Sequence, residues 1–182
     1  GYGVGVQHAQ TDAGPWRRNA LCAFLGLIVA GTSACGAHFD GEHFHKRAVD
    51  YRVGRLGAPW ERVRMADNDL SFHREGAGSI SVTATCEGYD DVPAEALLNH
   101  LLFGTTNRTY VLDEDVTLDG RGARHALVDA ELDGVPVRIE VYVVVRGGCV
   151  FDLSYVSGRD AHVRAEFSRF VAGFQIARVG HE

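Results

Sequence analysis

Asp119-Gly120, Asp133-Gly134 and Gly147-Gly148 divide the second half of this chain into four β-rich runs and leave it little choice of fold. Asp-Gly and Gly-Gly pairs tolerate the positive φ angles of tight hairpins. The runs between them, about 108–118, 122–132, 135–146 and 149–156, are therefore expected to pair as an antiparallel meander. Val141-Tyr142-Val143-Val144-Val145 is apolar on both faces, which predicts a central strand covered on both sides.

The first half adds shorter strands. Val49–Val53 alternates apolar and polar residues, Trp60–Arg64 is a second short candidate, and Asp69–Arg74 and Ser79–Cys86 form a hairpin around Gly76-Ala77-Gly78. The period then changes to that of a helix. Asp91 is expected as its N-cap, with Pro93 in the first turn and Ala96, Leu97, Leu98, Leu101 and Leu102 on one face; Gly104 ends it. A closing helix is expected over about 160–173, with Asp160 near its cap and Val163, Phe167, Phe170, Val171 and Phe174 recurring at helical steps. A chain of 182 residues and 19.8 kDa supports one core of ordinary size. These elements predict an α+β domain, an antiparallel sheet of about six to seven strands with helices on both faces, that is, an α/β/α sandwich.

The N-terminal stretch reads as an address. Arg17 and Arg18 precede the apolar run Ala20–Ala30, and small residues Gly31-Thr32-Ser33-Ala34 follow. A basic region, a short apolar region and a small-residue zone are the parts of a secretory signal. A core helix would carry polar positions at helical spacing, and this run has none. Thr32-Ser33-Ala34-Cys35 resembles the lipobox of bacterial lipoproteins, which implies cleavage before Cys35 and lipidation of its sulfur. Ordinary cleavage near Ala34, with Cys35 unlipidated, is the alternative. Gly36 stands where the retention signal of the enterobacterial family has Asp, so the resemblance implies an outer-membrane lipoprotein. Residues 1–34 are thus expected to be a lipoprotein-type signal with extra N-terminal residues. Residues 35–48 would be the lipidated cysteine and a tether, 49–176 a single domain and 177–182 a tail. Residues 1–34 carry a net +1 from Asp12, Arg17 and Arg18, so the remainder has a net charge of −7 against −6 for the whole chain. That balance argues against nucleic acid as a partner and against docking on anionic lipid by charge alone.

Four cysteines occur, Cys22, Cys35, Cys86 and Cys149. Cys22 lies in the apolar run and Cys35 would carry lipid, which leaves Cys86 and Cys149 in an oxidising compartment. No Cys-x-x-Cys and no flanking His at ligand spacing point to redox or metal chemistry. A structural disulfide is expected, with two separate buried thiols as the alternative.

The order of elements, with Gly120 before a strand, Asp133-Gly134 in a hairpin and a terminal helix carrying Phe167, Phe170 and Phe174, resembles the PsbP-like fold over about residues 49–176. That fold is shared by the photosystem extrinsic protein, the Ran-binding Mog protein and many bacterial lipoproteins. The resemblance implies a binding or assembly factor rather than an enzyme, with no cofactor.

Catalytic signatures are missing. There is no Gly-x-Ser-x-Gly, no Walker loop, no dinucleotide fingerprint following a strand and no His-Glu-x-x-His. His38, His43 and His45, with Asp40 and Glu42, are weak metal candidates on a segment expected to be flexible, and no real metal site is expected there. Asp113-Glu114-Asp115 lacks calcium-loop spacing and reads as a solvated acidic segment. Asp90-Asp91 and Asp129-x-Glu131-x-Asp133 could supply paired carboxylates, and the strand spacing puts the latter trio on one face. His100 and His125 read as surface or satisfied core residues. The chain is therefore expected to be a non-enzymatic outer-membrane lipoprotein, with its domain in the periplasm or on the surface. It would serve as a binding or accessory subunit of an envelope complex, in contact with the membrane through its lipid and with an envelope protein partner. A carrier of a small apolar ligand or lipid is the alternative, and would show a pocket of roughly 300 Å³ or more between sheet and helix. An envelope hydrolase using Asp129 and Glu131 is the third, and needs both in a cleft with a shifted pKa.

Overall fold

The computed structural model describes residues 36–86, 88–89, 92–160 and 163–180. The expected signal (1–34), Cys35, Asp90 and Asp91 lie outside the described residues. In chain order the strands of the first half are β1 (His38–Phe39), β2 (His43–Lys46), β3 (Val49–Arg52), β4 (Glu61–Val63), β5 (Leu70–Arg74) and β6 (Gly78–Cys86). Helix α1 (Ala94–Leu101) leads into β7 (Thr105–Leu118), β8 (Arg121–Leu132), β9 (Val135–Arg146) and β10 (Cys149–Ser157), and α2 (Arg164–Ala172) and β11 (Gln175–Val179) close the chain. One sheet runs β4-β5-β6-β10-β9-β8-β7 and a second runs β1-β2-β3-β11, with every pair antiparallel.

The meander stands as β7 to β10. Each of its three turns holds both central residues at positive φ, 51° and 69° at Asp119-Gly120, 51° and 79° at Asp133-Gly134, and 54° and 71° at Gly147-Gly148. Those are the angles of the hairpin turn whose twist matches the twist of the strands.

The two faces of the large sheet bury different layers. On one, Phe167, Phe170 and Phe174 join Phe44 and Tyr51 of the small sheet against Ile80, Val82, Phe151 and Leu153. On the other, Leu98 and Leu102 lie on Ala126, Val128, Ala130, Val137, Ile139 and Val141. One helix thus serves each face, and the large sheet has seven strands, the upper end of the six to seven expected.

Three boundaries differ from expectation. The stretch read as a tether over 35–48 contains β1 and β2, because His43-Phe44-His45 alternates and drives Phe44 to 1% exposure, stacked on Tyr51 with ring centroids 4.9 Å apart. The stretch read as a tail over 177–182 contains most of β11, which pairs with β3 and buries Ile176. The closing helix begins at Arg164, with Asp160 in a turn before it and Val163 at its N-cap position. The second sheet is the consequence of the first two differences. It meets α2 at a tight crossing, where a Cβ on Gly173 would lie 2.5 Å from the Gly54 backbone and the Gly54 N–H donates to the Phe170 carbonyl at 2.8 Å.

Cys86 and Cys149 face each other across β6 and β10 and are joined in a disulfide spanning 63 residues of sequence.

Candidate functional site: a cavity beside the first helix

Helix α1 has eight residues, so it is about 12 Å long. Seven strands spaced about 4.8 Å apart make a sheet nearly 30 Å across. The helix packs on β8 and β9. The same face of β6 and β10 carries Ser81, Thr83 and Thr85 from one strand and Val150, Asp152 and Ser154 from the other, in register. Ser81 and Ser154 satisfy each other at 2.7 Å, and the Thr83 hydroxyl donates to Asn68 at 3.2 Å. Beyond the end of this strip, the Tyr89 N–H donates to the Gly148 carbonyl at 3.3 Å. A cavity of about 380 Å³ results. Thr85, Val150 and Asp152 form its floor, Tyr89 and Val92 one wall, and Leu97, His100 and Leu101 of α1 the other.

Asp152 is the unusual member. It lies in a central strand between Phe151 and Leu153, both fully buried. Its Oδ1 is sealed from solvent and accepts no hydrogen bond among the described residues. Burial disfavours the charged form, so its carboxyl is pushed up to about 7. Among the described residues, no Lys or Arg lines the cavity. A second cavity of about 190 Å³ lies on the far side of Leu101, which lines both, and is walled by Leu102, Phe103, Leu132, Ile139 and Val156.

Among the described residues, those singled out by sequence stand elsewhere, with one exception. Arg138 donates twice to Asp129, at 2.7 and 2.9 Å, and holds its carboxyl below the usual range against the effect of burial. Glu131 accepts from the Asn107 amide at 2.9 Å. Neither lines the cavity, and a carboxyl clamped by Arg with a lowered pKa is poorly suited to act as an acid. Strand alternation splits the acidic segment: Asp113 and Asp115 hold Arg124 at 2.7 and 3.0 Å, while Glu114 meets His125 on the other face at 3.1 Å. His125 is a satisfied core residue. Its Nε2 meets Glu140 at 3.0 Å, and its ring stacks on Tyr142 with centroids 4.0 Å apart. Arg164 completes this cluster with hydrogen bonds of 2.6 and 3.1 Å to Glu140. Burial alone would raise the Glu140 carboxyl, but the bonds from His125 and Arg164 prevail and hold it low. His38, His43 and His45 are carried on strands; His43 meets Asp40 at 3.2 Å and His45 meets Asp50. Among the described residues, no three His, Cys, Asp or Glu side chains are grouped to hold a metal. The exception is His100, which lines the cavity.

Sequence reasoning passed over Asp152 and Glu140. The signal was present in both. Each is an acid in the interior of a run read as a strand of the meander and flanked by large apolar residues, where an ionisable residue needs either a partner or a use.

No protein-family model matches the chain, and no curated protein does. Solved structures do. The solution structure of cyanobacterial PsbP (CyanoP) from Synechocystis sp. PCC 6803 matches with a TM-score of 0.53 and 14% identity, over 80% of this chain and 98% of that one. A crystal structure from Bacteroides thetaiotaomicron matches with a TM-score of 0.52 and 10% identity, over 72% of this chain and 47% of that one. LpqN of Mycobacterium tuberculosis, described as involved in cell envelope biogenesis, reaches a TM-score of 0.49 at 12% identity over 70% of this chain and 84% of that one. The fold is PsbP-like. Among the described residues no helix is long and apolar enough to cross a membrane.

Proposed function

We propose that this chain is a non-enzymatic, envelope-associated binding protein whose PsbP-like domain holds a small, mainly apolar ligand in the cavity beside α1. The observation that carries this reading is the cavity itself. Its volume of about 380 Å³ falls within the range of small-molecule sites, and Tyr89, Val92, Leu97 and Leu101 give it apolar walls. The address-like run before Cys35 and the Cys86–Cys149 disulfide support the envelope as its location. Titration calorimetry of the full chain with 1-octanol tests the cavity. One saturable site is expected, abolished in a Leu97→Trp variant that fills the space; no saturable binding overturns the reading. Intact mass of the protein from native membranes tests the location. A chain starting at Cys35 with added acyl mass is expected, and an unacylated chain retaining residues 1–34 overturns the anchor.

A second reading, an accessory subunit docked on an envelope partner, is favoured by the exposed apolar residues Phe103 (85% exposed) and Val135 (60%) with Leu101 and Leu132. Pull-down from the envelope with and without Phe103→Ser tests it, loss of a specific partner being the expected result.

A further inference from the structure

The chain pairs its sheltered carboxylates as a rule. Glu140 has His125 and Arg164, Asp129 has Arg138, and Asp69 has Lys46 at 2.8 Å and the Ala84 N–H at 2.9 Å. Glu166 accepts from the Trp60 indole at 2.5 Å and Arg74 at 2.8 Å. Asp152 is the departure: it lines the cavity, and its buried oxygen has no partner among the described residues. A carboxylate left without a partner costs stability, and because Oδ1 is sealed from solvent a ligand in the cavity would meet Asp152 at its other oxygen.

Three properties of the cavity define what would supply that partner. Its carboxylate can only accept when ionised, so the incoming group is a donor. With no Lys or Arg among the described lining residues, the imidazole of His100 is all that could offset the repulsion between an anionic head and the carboxylate. A hydroxyl and an ammonium would both make a charge-assisted hydrogen bond to the carboxylate, and the ammonium adds the attraction of opposite charges in a sheltered site, so a cationic N–H donor outcompetes a hydroxyl. The walls from Val92, Leu97 and Leu101 are apolar and take a hydrocarbon body.

We propose that the cavity binds a small amphiphilic amine, its protonated primary or secondary ammonium donating to the Asp152 carboxylate and its apolar body lying between Val92, Leu97 and Leu101. This rests on the reading of the cavity as a binding site, and it adds the chemical class of the ligand. Leu101 also lines the second cavity, so a longer chain would continue past it towards Phe103.

The test is calorimetry of the full chain at pH 8 with three probes of equal length: n-octylammonium, 1-octanol and octanoate. The expected order is octylammonium at least tenfold tighter than octanol, with octanoate weakest. In Asp152→Asn the amine loses its tenfold advantage over octanol. An amine no tighter than octanol, or one whose affinity survives Asp152→Asn, overturns the proposal. If octanol binds, Leu97→Trp abolishes it and the amine shows no preference, the cavity stands as a site and the amine assignment falls. If none of the three binds, both fall. Should Asp152→Asn fail to fold, the ranking of the probes on the unaltered chain decides.

Discussion

Asp152 and Glu140 sit in neighbouring central strands on opposite faces of one sheet, and the two faces treat them differently. Glu140, 1% exposed, is held ionised by His125 and Arg164. Asp152 has burial and no counter-charge, which raises its pKa. The linkage follows from the sign. Between about pH 4 and 7 the unfolded chain has lost this proton while the folded chain keeps it, so stability falls as pH rises through that window. Asp152→Asn removes the dependence. Relative to the variant, the unaltered chain should gain stability as pH is lowered from 7 to 5, by at most about 1.4 kcal/mol per pH unit, read from urea midpoints. Parallel curves would contradict it. For Glu140 the sign is opposite, since a lowered carboxyl contributes stability above its unfolded pKa and loses it as pH falls. Arg164→Met leaves a buried carboxylate without its main cation and should cost about 3 kcal/mol near neutral pH, shrinking below about pH 4 as Glu140 protonates in both states.

At the scale of elements, the sequence signals that held were those with a local cause. The three dipeptide turns, the β-branched run of β6 and the aromatic spacing of α2 each depend on a few adjacent residues. β1, β2 and β11 were not legible, because strands of two to five residues acquire their identity from the partner they pair with. The disulfide was legible by elimination of the other cysteines. Its effect reaches the cavity, since Thr85 and Val150, each adjacent to a bridged cysteine, line the floor. Replacing both Cys86 and Cys149 by Ser removes a cross-link over 63 residues and should lower stability by about 4 kcal/mol on the chain-entropy account. Octanol affinity should weaken with it. Unchanged denaturation midpoints would show that the strand pairing alone fixes this region.

At the scale of the whole domain, the two faces of the large sheet are unequally clothed. α2 and a four-stranded sheet cover one, whereas an eight-residue helix covers part of the other. That mismatch of width creates the cavity, and it explains why the site was hidden in the sequence. The polar strip of Ser81, Thr83 and Thr85 is visible as an alternation, but whether water, helix or ligand lies over it depends on where α1 lands. Among the described residues, His100 alone of those expected from the sequence reaches the site, from the helix side.

The most direct measurement is a titration of uniformly ¹⁵N-labelled protein with n-octylammonium, followed by amide chemical shifts. The account predicts saturable shifts concentrated at Thr85, Tyr89, Leu97, Leu101, Val150 and Asp152, with the β1–β3 sheet unmoved. Saturable shifts centred on the small sheet or the α2 face, or none at any concentration, would contradict it.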